Sequence, residues 1–168
     1  MPSATYMKPK PTGWSKDSIE KIALRVAEKL AFTPGDDVED IVQRFGGKVK
    51  RVQMDELVHQ DSIFVKGPND FTIHISDGMG PMRNRFTIAH ELGHYILHSK
   101  FGETIIEANR SGQPDRAEWE ANWFAASFLM PEASFREAAK TKSTQELAVI
   151  FQVSPMAADV RKQSLGIR

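Results

Sequence analysis

The chain has 168 residues, of which 40% are hydrophobic and 26% charged, and it contains no cysteine. This length suits one folded domain with a small appendage, and the apolar fraction is sufficient for a hydrophobic core. The absence of cysteine excludes disulfides, thiolate metal ligands and a cysteine nucleophile. Basic and acidic residues number 22 each, so the overall charge predicts neither nucleic-acid nor membrane affinity.

The N-terminal end is rich in lysine and proline and lacks the apolar centre of a signal peptide. No apolar run approaches the length that a membrane-spanning helix needs. We therefore expect a cytoplasmic protein with no membrane association and a flexible tail over residues 1–15.

Hydrophobic periodicity predicts helices on both sides of a short β region. Helical spacing covers residues 17–31 and about 36–45, and strand alternation follows over residues 48–53, 61–66 and 71–75. A turn at residues 67–70 joins the last two strands into a hairpin. Further helices are predicted over residues 82–98, 116–130 and 132–140, with two short helices in the tail after residue 143. This order of helices, small sheet and helices indicates an α+β fold.

The helix predicted over residues 82–98 contains the motif His90-Glu91-Leu92-Gly93-His94. At about 100° per residue, His90 and His94 fall one turn apart on the same face. Two imidazoles so placed can bind one Zn²⁺, and Glu91 then lies where a carboxylate can accept a proton from a bound water. The flanking positions are apolar, so the polar trio needs partners. The motif predicts a zinc hydrolase and favours a peptidase with Glu91 as its base.

A catalytic zinc usually has three protein ligands, and the third should come from another element. Glu118 and Glu120 are both candidates in the helix predicted over residues 116–130. We favour Glu118, because it shares a helix face with small residues that allow close approach to the motif helix. The competing interpretation is that Glu118 only caps its helix, three residues after Asp115.

Two more polar residues stand near the motif. Asn122 lies one turn beyond Glu118 and could accept a hydrogen bond from the outer ring N–H of a liganding histidine, or could be an ordinary surface amide. His98 is about 12 Å along the helix axis from His90, too far to share its ion easily. We therefore assign His98 a structural role or a place at the far end of the cleft.

Two features of the chemistry stay open at the level of sequence. The donor that stabilises the oxyanion could be any of four residues, namely Tyr95, His98, His74 and Arg85. The strand at residues 71–75 could offer an edge to an extended peptide, although an ordinary structural strand is the simpler interpretation.

The tail has the pattern of a helix-turn-helix, with a capping box at Ser143 and Glu146 and a second cap at Ser154. The second helix could enter a DNA groove, with phosphates facing three basic residues, Arg161, Lys162 and Arg168. Basic residues are few, so we prefer a packed helical pair that supports the domain or docks a partner. The rival function is a DNA-binding or repressor-binding regulatory module whose zinc is structural.

The chain resembles the ImmA/IrrE family of metallopeptidases. The resemblance runs through residues 85–94, 118–126, 128–131 and 147–154, within a matching region of roughly residues 36–166. It implies a small zincin-like domain with a short, mostly antiparallel sheet over residues 16–140, and a helix-turn-helix-like segment packed on it over residues 141–168.

The resemblance also implies the site and its biology. It places the zinc ligands at His90, His94 and Glu118 and the catalytic base at Glu91. It implies an endopeptidase that cuts one specific protein, a helix-turn-helix transcriptional repressor encoded nearby. Cutting would derepress stress, mobile-element or defence genes.

Overall fold

The computed structural model describes residues 5–53, 62–109 and 114–168. Within them the chain forms seven α-helices, four strands and one π-helical turn. The first half contains α1 (Lys16–Lys29), α2 (Val38–Arg44), β1 (Gly47–Val52), β2 (Ser62–Gly67), β3 (Asp70–Ser76) and α3 (Pro81–Gly93). The second half contains the π turn (His94–His98), β4 (Ile106–Asn109), α4 (Arg116–Leu129), α5 (Glu132–Ala139), α6 (Thr144–Phe151) and α7 (Pro155–Ser164). The predicted α+β class is confirmed.

The strands form one four-stranded sheet in the order β1-β3-β2-β4. β1 runs parallel to β3, whereas β2 is antiparallel to both β3 and β4. The predicted hairpin between β2 and β3 is confirmed, although residue 61 of its first strand lies outside the described residues. β3 has neighbours on both sides, so the suggestion that residues 71–75 offer a free edge to a peptide is wrong.

One face of the sheet and the inner faces of the helices share a single apolar core. On β3 the alternating residues Phe71, Ile73 and Ile75 are buried, which follows from the two-residue period of a strand. α3 packs below the sheet and α4 packs beside α3. Gly93 permits this approach, because a Cβ at that position would lie 3.2 Å from the Cβ of Phe124 on α4. The motif helix and the helix that carries Glu118 therefore lie in close contact.

Residues 5–15, which the sequence assigns to a tail, lie along the sheet and α4. The N–H of Met7 donates to the carbonyl of Ile105 at 3.0 Å, and the carbonyl of Met7 accepts from Glu107 at 3.0 Å. The ring of Tyr6 packs edge-on against Phe64, with centroids 5.6 Å apart. These contacts attach the segment to the free side of β4. The proposed domain boundaries at residues 15 and 140 stay predictions.

The two tail helices, α6 and α7, pack against each other and against the rest of the domain. The predicted capping box of α6 is present, and Gln152 takes the left-handed conformation at the turn, with φ of 53°. Arg161 does not face outward as a phosphate contact would require. It is 2% exposed, and it donates to Glu20 at 2.7 Å and to the carbonyl of Met130 at 3.0 Å. The suggested phosphate role of Arg161 is therefore wrong, and the packed helical pair is the better description.

Candidate metal centre

His90 and His94 project from α3 and the π turn toward the carboxylate of Glu118 on α4. The Nε2 atom of His90 lies 2.9 Å from Oε2 of Glu118, and the Nε2 atom of His94 lies 2.9 Å from Oε1. The ligand atoms of these three residues all fall within 4.8 Å of one another, a spacing that suits one metal ion. Both imidazoles have no exposed side-chain surface, whereas the Glu118 side chain is 20% exposed. The cluster is therefore buried below and open on the Glu118 side.

Helix capping and the side-chain role of Glu118 turn out to be compatible. The carboxylate of Asp115 accepts from the backbone N–H of Glu118 at 3.0 Å, which caps α4. The side chain of Glu118 is left to face the two histidines. Glu120, the other candidate, points away from them toward His98. The structure thus brings Glu118, and not Glu120, to the motif.

The charge state of Glu118 follows from its neighbours. Burial on its own raises the pKa of this carboxyl, but the adjacent imidazoles of His90 and His94 outweigh burial and hold the pKa well below its usual range. Glu118 is therefore an anion, which is the form that ligates a cation.

The outer ring nitrogens of both histidines have partners. The Nδ1 atom of His90 lies 2.7 Å from Oδ1 of Asn122, the interaction considered for Asn122 from its helix position. The Nδ1 atom of His94 lies 2.8 Å from Nδ1 of His98, and the Nε2 atom of His98 lies 2.9 Å from Oε1 of Glu120. Such partners fix the tautomer and the orientation of a liganding imidazole.

These partners decide where the protons lie. The Glu120 carboxylate can only accept, so Nε2–H of His98 donates to it. Burial, followed by the effect of His94, lowers the pKa of His98 to about 4, so its ring is neutral and its Nδ1 is an acceptor. His94 then carries its hydrogen on Nδ1, which leaves the lone pair of Nε2 directed at Glu118. A lone pair and a carboxylate that converge at this spacing fit a metal cation, and the donor set of two imidazoles and one carboxylate is one that zinc accepts.

The helix geometry changes within the motif. α3 is α-helical up to Gly93, and the chain then makes a π turn from His94 to His98, closed by a hydrogen bond of 2.9 Å from the Ser99 N–H to the His94 carbonyl. π-helical turns are rare and often accompany functional sites. Here the turn brings the His94 and His98 rings side by side, with centroids 4.9 Å apart and planes inclined at 48°. The sequence predicts one uninterrupted helix through residue 98, so this detail is a correction.

Four residues are candidates for the oxyanion donor, namely Tyr95, His98, His74 and Arg85, and the structure shows what three of them contact. The ring of Tyr95 stacks on Phe71 with centroids 4.0 Å apart, and Arg85 donates to the backbone carbonyl of Asp36. His98 is committed to His94 and Glu120. The predicted base, Glu91, is not one of these four candidates; it follows His90 in the chain, and its exposed fraction is 1%. Tyr95, His98 and Arg85 therefore each have a structural partner of their own.

The residues that carry this cluster lie in a region that matches a known family. The family model of peptidase family M78, the IrrE N-terminal-like domain, matches residues 56–162. The chain belongs to this family. The matched region includes α3, the π turn and α4, so the M78 match covers every residue of the His90, His94 and Glu118 cluster.

The chain is also similar to a characterised relative. It is 27% identical over 104 residues to Metallopeptidase ImmA of Bacillus subtilis (strain 168). The aligned region makes up 60% of this chain and 60% of the relative, so the chain spans about three fifths of that protein's length. M78 membership agrees with the resemblance that the motifs indicate.

The sequence does not reveal the contacts behind His94. His98 and Glu120 are 22 positions apart, and nothing in the local pattern pairs them. The available signal is that both are polar residues on the inner sides of apolar helices, where a buried polar group needs a partner.

The helices were also compared with the length and hydrophobicity that a membrane span requires. Among residues 5–53, 62–109 and 114–168, none meets both requirements.

Proposed function

We propose that this chain is a zinc-dependent endopeptidase in which His90, His94 and Glu118 hold the ion. The observation that carries the proposal is the convergence of two Nε2 atoms and one carboxylate within 4.8 Å, inside the region that belongs to the M78 family. Zinc is favoured by the mixed nitrogen and oxygen donor set, which leaves a fourth position for solvent or substrate.

The chemistry then divides between the metal and the protein. Zinc, when bound, would lower the pKa of a coordinated water and polarise the scissile carbonyl. The carboxylate of Glu91 would accept the proton of the attacking water and deliver it to the leaving amine. Burial of Glu91 and His90 keeps bulk solvent away from this proton transfer.

An apolar groove beside the cluster supports a protein substrate. Asn122, which contacts His90, is one of the residues that line the groove, and the groove has a volume of about 650 Å³. Its walls come from α3, α4 and α7 and include Met82, Phe86, Trp123, Ala126, Met156 and Val160. Such a surface fits the apolar side chains of a polypeptide held next to the metal. The last helix, α7, would thus form part of the wall of the proposed substrate site.

The proposed substrate is one specific protein, a helix-turn-helix transcriptional repressor encoded nearby. Cutting it in the cytoplasm would derepress stress, mobile-element or defence genes. This part of the proposal rests on the family resemblance and on the M78 membership, together with the relative that is named a metallopeptidase.

The decisive experiment is co-expression with the neighbouring repressor, comparing the wild type with Glu91→Gln and measuring fragment masses. The amide cannot accept the proton, so we expect cleavage to fall by roughly 10²- to 10⁴-fold while the protein stays folded and keeps its zinc. Glu137→Gln is the matched control, because the Glu137 side chain is 74% exposed and lies on α5. Full cleavage by a folded, zinc-loaded Glu91→Gln protein would refute the mechanism.

A further inference from the structure

Glu120 is a buried carboxylate that donors from three parts of the chain surround. Its side chain has no exposed surface, and Oε1 accepts from the Thr12 backbone N–H at 2.8 Å and from His98 at 2.9 Å. Oε2 accepts from the Gly13 backbone N–H at 3.0 Å and from Arg116 at 3.1 Å. Four donors stabilise the anion and leave it little freedom to move. Glu120 is thus a fixed point between the N-terminal segment and the π turn.

The hydrogen bonds continue from Glu120 through His98 to His94. His98 donates through Nε2 to Glu120, and its Nδ1 accepts from His94 at 2.8 Å. His98 is 5% exposed and His94 is fully buried, so water has little access with which to replace either partner. The orientation of the His94 ring therefore depends on Glu120 through one intermediate ring.

The N-terminal donors come from outside the M78 match, which begins at residue 56. The segment that carries them is attached to β4 through Met7 and is joined to α4 by a hydrogen bond of 2.6 Å from Arg116 to the Trp14 carbonyl. Residues that precede the family domain thus complete a hydrogen-bonded chain that ends at a proposed zinc ligand.

We propose that the N-terminal segment positions the metal site through this chain, here named the N-terminal relay and consisting of Thr12, Gly13, Glu120, His98 and His94. The backbone N–H groups hold Glu120, Glu120 holds His98 with its hydrogen on Nε2, and His98 holds His94 with its hydrogen on Nδ1. The Nε2 lone pair of His94 then faces the ion. Glu120 and His98 are positioning residues, and the inference rests on the proposed ligand set.

The experiment measures zinc affinity of the full chain by competition with a chromophoric chelator, for the wild type, Glu120→Ala and Glu120→Gln. Loss of such a partner lowers metal affinity by about 10- to 100-fold, which is the result expected for Glu120→Ala. The amide oxygen of Glu120→Gln still accepts from His98, so this variant should recover most of the affinity. Glu132→Ala is the control, because Glu132 pairs with Arg136 at i,i+4 spacing as Glu120 pairs with Arg116, but at the surface.

A spectroscopic readout separates positioning from loss of structure. Ring ¹⁵N NMR of the zinc-loaded protein should show His98 as the neutral Nε2–H tautomer and His94 with its hydrogen on Nδ1. In Glu120→Ala the His98 ring should populate both tautomers. An unchanged tautomer together with wild-type zinc affinity in Glu120→Ala would overturn the proposal.

The role of the N-terminal segment itself is tested by Thr12→Pro. This change removes the N–H that donates to Glu120 and the hydroxyl that accepts from Trp14, and it leaves the side chains of Glu120, His98 and His94 in place. Loss of one hydrogen bond corresponds to about a fivefold fall in zinc affinity. Lys10→Pro, in the same segment, should bind zinc as the wild type does. Equal affinity of Thr12→Pro and Lys10→Pro would remove the N-terminal segment from the relay, even if Glu120→Ala failed to fold.

Failure of the relay and failure of the ligand set are distinguishable. Glu118→Ala should lose zinc binding, because it removes a ligand rather than a positioning group. Wild-type zinc affinity in Glu118→Ala would contradict the proposed ligands. Loss in Glu118→Ala with no change in Glu120→Ala would contradict the relay alone.

Discussion

The Nδ1 atoms of His94 and His98 lie 2.8 Å apart. Two ring nitrogens at this distance share one hydrogen. Because the neutral His98 ring donates its own hydrogen to Glu120 through Nε2, the shared hydrogen lies on His94. A contact between two histidines thereby becomes directional. Its consequence is that Nε2 of His94, the nitrogen that faces Glu118, carries a lone pair available to the proposed ion.

The two histidines of the motif are oriented by different means. His90 relies on Asn122, which is exposed, whereas His94 relies on His98 and Glu120, which are buried. The contributions from α4 fall within one short stretch, where Glu118 faces the two Nε2 atoms, Glu120 contacts His98 and Asn122 contacts the outer nitrogen of His90. One helix therefore carries the proposed third ligand, the partner of His90 and the residue that holds His98.

This difference predicts unequal effects of removing the two orienting groups. Asn122→Ala should lower zinc affinity by about tenfold, the lower end of the range for such partners, because water can replace an exposed amide. Asn122→Asp should stay near the wild type, since its carboxylate accepts from the same N–H. Chelator competition measures both, with Gln163→Ala on α7 as an exposed control. A larger loss in Asn122→Ala than in Glu120→Ala would contradict this order.

The sequence predicts much of the fold because the relevant signals are local. Helical periodicity and caps locate α4 and α6 within a residue or two, and the turn at residues 67–70 defines the hairpin. β4 is absent from the prediction because a strand of four residues is stabilised by its pairing with β2, which lies far away in the chain. Secondary structure that depends on such a partner has little signature of its own.

The residues of the site also fall into those that local spacing predicts and those that depend on contacts distant in the chain. His90 and His94 share a motif, and the phase of α4 selects Glu118 over Glu120, so the three residues that converge in the structure can be inferred from spacing. The role of Glu120 cannot, because it depends on the π turn and on a backbone contact with Thr12, 108 residues away. Burial of an anion is decided by all its donors together, and no single segment contains them.

Gly93 should be critical for the contact between α3 and α4. Its missing side chain allows Phe124 to approach within 3.2 Å of the Cβ position, so Gly93→Val should destabilise the fold by about 1–3 kcal/mol through overpacking. Denaturant unfolding measures this, and zinc affinity should fall as Glu118 is pushed away. Gly67→Val is the control, because a Cβ at Gly67 meets no atom within 4 Å. Equal stability of the two variants would contradict the packing argument.

Arg161 should contribute to stability rather than to DNA binding. Its side chain is 1% exposed and bonds to Glu20, whose side chain is 15% exposed. Arg161→Ala leaves that carboxylate and a backbone carbonyl without their donor, so we expect a loss of about 3 kcal/mol, the lower end for a broken buried pair. Lys162→Ala should change the free energy of unfolding by less than about 0.5 kcal/mol. Urea unfolding compares them, and equal values would refute the structural role of Arg161.

The apolar groove predicts a separation between substrate binding and metal binding. Met156 lines the groove and is 77% exposed, whereas Val149 lies on α6 outside the groove and is 75% exposed. Met156→Gln should raise the KM for the protein substrate by about tenfold, from the loss of roughly 1–2 kcal/mol of apolar burial, with kcat little changed. Val149→Gln should leave both constants near the wild type, and neither change should alter zinc affinity. A fall in kcat at constant KM for Met156→Gln would show that this face acts on the chemical step and not on docking.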